Sequence, residues 1–155
     1  MSRLGDWETA IVDQLVAVEI SGVPVFKTVR GVSGGARPTL REALLREALP
    51  GAYVGFTFEP TAPETNILRI GPVYSVLVAA RTLRVGSDPR VGDGSTPGAL
   101  ALIDHVREAL DHFIPDGLSQ LNSLSVSFEY ADERAVIYEL MYRVYPFFEA
   151  APIPE

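Results

Sequence analysis

The chain has 155 residues, 47% of them apolar and 21% charged, enough for one globular domain with a buried core and too apolar for a disordered segment. Its formal charge is −7 and it holds no cysteine, which excludes a surface basic throughout for nucleic acid, disulfides, thiolate metal sites and cysteine nucleophiles. No apolar run approaches 18 residues, and Asp6, Glu8, Asp13 and Glu19 interrupt the first twenty positions, so neither a membrane span nor a secretion signal is expected.

Leu4, Trp7, Ile11, Leu15 and Val18 recur every three or four residues, the period of one helix face, which Val12 and Val16 widen. Asp6 is placed to cap this helix and Glu8 to sit in its first turn, while Ser21-Gly22 and Pro24 end it. Residues 23–32, rich in Val, Phe and Thr, read as a strand, followed by a loop over 33–38. Thr39 and Glu42 form a capping box for a short helix that stops at Pro50-Gly51. A strand follows at 52–59. Residues 66–84 are again β-prone, with Gly71-Pro72 placed inside them as a bulge or strand edge. From Tyr74 to Leu83 both alternating faces are apolar, as in a central strand covered on both sides.

Residues 86–98 form the longest loop, with four Gly and two Pro, near the length at which loops become functional or disordered. Ile103, Val106, Leu110 and Phe113 then make one stripe of a helix over 99–113. Beyond it Leu124, Val126, Phe128 and Tyr130 alternate with Ser125, Ser127 and Glu129. After a turn at 131–134, Val136, Tyr138, Leu140, Tyr142 and Val144 alternate with Glu139, Met141 and Arg143, so the pair reads as a hairpin. The order of elements predicts an α+β domain over 1–146, a mainly antiparallel sheet with two or three helices packed on it, and a Pro-rich tail over 147–155.

The residues that could carry chemistry are few. His105 and His112 stand seven residues apart on the predicted long helix, a rise of about 10.5 Å, too far for both to ligate one metal. The Gly34-Gly35 loop beside Arg37 has neither P-loop nor dinucleotide spacing. Asp88, Asp93 and Gly94 lack the alternating ligands and late Glu of a calcium loop, and Asp132-Glu133 read as turn formers. No catalytic residue, metal or cofactor is expected. Tyr138, Tyr142 and Tyr145, with Phe147 and Phe148, suit core packing or an interface. Met141 and Tyr145 are placed on the face opposite Tyr142, which a neighbouring subunit could cover.

Three segments taken together carry a family resemblance. They are the helix Trp-Glu-Thr-Ala-Ile-Val-Asp-Gln-Leu at 7–15, the run Leu-Pro-Gly-Ala-Tyr-Val-Gly-Phe at 49–56, and Tyr-Ser-Val-Leu-Val-Ala-Ala-Arg-Thr-Leu-Arg at 74–84. The last leads through the Gly-rich loop into Gly-Ala-Leu-Ala-Leu-Ile-Asp-His-Val-Arg-Glu-Ala-Leu at 98–110. This succession resembles the small neck and tail-completion proteins of Mu-like phages and prophages. The resemblance implies a tail-terminator-like α+β fold, no catalytic residues, and a place in the virion after synthesis in the bacterial cytoplasm. It implies a homo-oligomeric ring, commonly of six subunits, whose partners are the tail tube protein and a head-completion or connector protein, with DNA only as passing cargo. Such a ring needs two different self-faces. Arg81 and Arg84, at the end of a central strand beside the 86–98 loop, are expected to make ion pairs between subunits. Asp88, Arg90 and Asp93 in the loop, and Met141 and Tyr145 on the last strand, complete the expected interface. Two other roles fit the sequence: a head–tail connector or other tail component, and a small-ligand-binding α+β domain outside phages.

Overall fold

The computed structural model describes residues 3–32, 44, 46–58, 71–82, 86–92, 94, 97–114 and 120–145, with the backbone alone at 3, 58 and 145. The predicted helix at 39–47 (apart from single positions), the Gly34-Gly35 loop, positions 66–70, Arg84, Asp93 and the tail over 147–155 lie outside these residues. Among the described residues two helices, α1 (Arg3–Val16) and α2 (Ala99–Leu110), pack on a mixed five-stranded sheet, and a two-stranded ribbon stands apart from it. The fold is α+β, as the order of elements predicts.

α1 starts three residues before the predicted cap, so Asp6 lies in its first turn, where the helix dipole favours a carboxylate. Trp7, Ile11 and Leu15 are buried, as the stripe requires, but Val16 at the last turn faces outward. Ser21-Gly22 does not stop the helix. It turns a ribbon of β1 (Glu19–Ile20) and β2 (Val23–Pro24), with φ of 53° at Ser21 and 81° at Gly22. Positive φ at both central residues is what a tight type I′ hairpin demands. The strand expected over 23–32 is therefore two pieces. Val25 and Phe26 break it by turning into the core, and β3 (Thr28–Gly31) begins after them.

The sheet order is β3, β4 (Gly51–Phe58), β5 (Val73–Arg81), β7 (Ala135–Tyr145), β6 (Gln120–Ala131). β3 and β4 run parallel, and the other pairings are antiparallel. β5 is central, and Tyr74, Val76, Val78 and Ala80 on its helix face are all buried. On the other face Val73 and Ala79 are buried while Ser75, Leu77 and Arg81 are half-buried, so that face is covered less than the unbroken apolar run predicts. Gly71 and Pro72 precede this strand, where the missing N–H of proline costs no ladder bond, and the Pro72 carbonyl accepts from Val144 N–H at 3.0 Å.

One face of the sheet carries Ala52, Val54, Tyr74, Val76, Val78, Leu140 and Tyr142 against the two helices. α1 covers β3 and β4, and α2 covers β5 and β7. Two tyrosine hydroxyls reach out of this core: Tyr74 donates to the Leu4 carbonyl at 2.6 Å and Tyr142 to Asp111 Oδ1 at 3.2 Å. They pin the start of α1 and the end of α2 to the sheet. Burial, and after it the Asp111 carboxylate, push the Tyr142 phenol well above its ordinary value. On the second face Leu44, Tyr53, Ala79 and Ile137 form a smaller core. Beside it Arg30 pairs with Glu47 and lies 5.4 Å above the Tyr53 ring. Burial raises the Tyr53 phenol in the same way.

α2 ends three residues earlier than predicted. His112 adopts φ 63° and its N–H donates to Leu121 O, so the chain doubles back and Phe113 pairs with Leu121. The two histidines thus share no helix face, and the His112 ring meets the Gln120 amide instead. The alternation predicted for β6 is also broken. Bulges between Ser123 and Ser125 and between Phe128 and Tyr130 shift its register against β7. Phe128 pairs with Tyr138 on the helix face, whereas Tyr130 pairs with Ile137 on the second face. Each extra residue reverses the faces beyond it, so the four apolar residues do not share one side. No helix among the described residues is long and apolar enough to cross a membrane.

Candidate interaction surface

The segment before α2 is tied down by its own backbone. The Pro89 and Arg90 carbonyls accept from Ala99 and Leu100 N–H at 2.9 and 3.0 Å, satisfying two donors that a helix start leaves open. Gly98 makes this possible. A Cβ there would collide with the carbonyl of Val91, the Arg90 oxygen and the Gly92 nitrogen, so the loop can close over the helix end only if that side chain is absent. A bridge between Gly92 and Pro97 closes the other side.

This closure presents a patch. Asp88 and Arg90 form an ion pair at 2.9 Å, and Asp88 Oδ1 also accepts from the Arg90 backbone N–H at 2.9 Å. The pair holds the Asp88 carboxyl below its usual range and raises the Arg90 guanidinium. Both side chains are open to water, so the pair orders the turn and adds little stability. Arg90 also lies within electrostatic reach of Tyr138. The Tyr138 ring meets Phe128 edge to face at 6.0 Å. Around this cluster Val91 is 69% exposed, Leu100 48% and Phe128 59%. The patch joins the start of α2 to the helix side of edge strand β6, where Phe128 is left exposed among the described residues. Aromatic, arginine and aliphatic groups in one place are the composition of an interface.

A second apolar exposure lies on the ribbon. Ile20 pairs with Val23 at its tip, where they are 52% and 65% exposed, and Val16 at the end of α1 is 52% exposed. The ribbon leads within a few residues into β3, the other edge of the sheet.

The expected interface residues do not form one site. Asp88 and Arg90 come together. Arg81 ends β5 opposite Ala135 and acts on Asp132 in the β6–β7 turn. Burial works to raise the Asp132 carboxyl, but backbone N–H groups of Arg134 and Ala135, the Tyr130 hydroxyl and Arg81 outweigh it and the group is lowered. Met141 pairs with Ser75 and Ser125 on the face opposite Tyr142, as the alternation predicts. It stands six residues along β7 from the partner of Arg81, roughly 20 Å away. Nearby, buried Glu139 accepts from the Ser75 hydroxyl at 2.6 Å. Tyr145 ends β7 opposite Gln120. Arg84 and Asp93 lie outside the described residues.

Sequence reasoning did not select Val91, Leu100, Phe128, Ile20 or Val23. The available signals were an isolated valine in a Gly-rich loop and a leucine off the α2 stripe. Among the described residues, no three His, Asp or Glu side chains gather as a metal site. No protein-family model matches the chain, and no curated protein matches it.

Proposed function

We propose that this chain is a structural subunit that associates with copies of itself into a ring, and that the ring is a phage tail terminator or neck component. The observation carrying the association is the pair of unlike apolar exposures, one on the ribbon beside β3 and one around Phe128 on β6. Unlike surfaces on one subunit support head-to-tail contacts, and such contacts make a ring where the rotation between subunits closes. The role at the tail rests on the resemblance to the neck proteins of Mu-like phages. The tail tube protein is then the partner on one side of the ring and a head-completion protein on the other.

The test is the mass of the purified protein over a range of concentrations, by size-exclusion chromatography with light scattering, followed by negative-stain microscopy. A discrete ring near six times 16.8 kDa that caps tail tubes is the expected result. Binding to the head portal instead of the tube moves the protein to the connector role. A monomer at every concentration that leaves tube ends uncapped overturns the proposal.

A further inference from the structure

We draw no further inference here: the strongest candidate, the exposed apolar patch of Val91, Leu100 and Phe128 between the start of α2 and edge strand β6, is bordered by Asp88, Asp104, Glu108 and Asp111 against Arg90 and Arg107, so charge singles out no partner and nothing in the structure shows what covers it.

Discussion

Truncating Phe128 to alanine separates its surface role from its structural one. In the folded subunit about two fifths of the residue is already buried, and its ring contacts Tyr138 edge to face. Full burial of such a side chain contributes up to ~3 kcal/mol, so the buried part accounts for about 1 kcal/mol, and the aromatic pair adds roughly 0.5–1 kcal/mol. Phe128→Ala should therefore cost about 1.5–2 kcal/mol. Leu140→Ala, in the fully buried centre of β7, should cost about 2–5 kcal/mol because a cavity is left behind. Urea denaturation of both variants as monomers, at low protein concentration and with a shared m-value, measures the difference. A domain of this size shifts its melting point by roughly 2–4 °C per kcal/mol, so a thermal melt checks it independently. A loss above about 3 kcal/mol for Phe128→Ala would refute the reasoning, because Phe128 would then be core and unavailable to a partner.

Three other outcomes follow from local geometry. Tyr53 and Tyr142 both have phenols raised above their ordinary value, so the folded state holds these protons more tightly than the unfolded chain. Stability should be constant below the unfolded value near pH 10 and fall above it, by up to about 1.4 kcal/mol per pH unit per tyrosine. Urea midpoints between pH 8 and 11 test this, and Tyr142→Phe should flatten the slope. Gly98→Ala should lower stability by about 1–3 kcal/mol, since the new methyl meets backbone and not a movable side chain. Hydrogen exchange at Ala99 and Leu100 should then speed up; exchange unchanged from wild type means that the loop is not held by these carbonyls. Ser21→Gly relieves a non-glycine residue held at φ 53° and should raise the melting point slightly, by a gain of up to about 1 kcal/mol, provided the ribbon is formed.

Apolar periodicity made part of the fold legible. It reports burial, and β4, β5, β7 and the buried stripe of α2 are the elements whose faces are decided by burial. Wherever one residue changes the outcome, periodicity was blind. Leu124 and Glu129 each add a residue to β6, and no local pattern distinguishes a bulged residue from the next step of an alternation. The left-handed His112 cut α2 short for the sake of a contact with Leu121, nine residues further along the chain. Gly98 read as a loop glycine, because its need for close approach exists only once residues 90–92 lie over it. The candidate surface was hidden for a related reason. Phe128 looks like core in a sequence, because an apolar residue awaiting a partner and one already covered obey the same alternation.

The edge strand β6 brings these levels together. Its twelve residues contain no Lys, Arg or Pro, the usual guards of a free edge, and Glu129 is its only charged residue. What it has instead are the two bulges, which divide its regular pairing into runs such as 125–128 of four residues or fewer. A broken edge of this kind cannot template a continuous stack of identical strands. It leaves Phe128 at the end of one short run, on the helix side, beside a patch bounded by α2. An edge defended by shape and not by charge tolerates an apolar residue at its rim. Charges along the strand would protect the monomer equally well and would also repel the partner. The composition of β6 therefore suits the edge that the proposed assembly would cover.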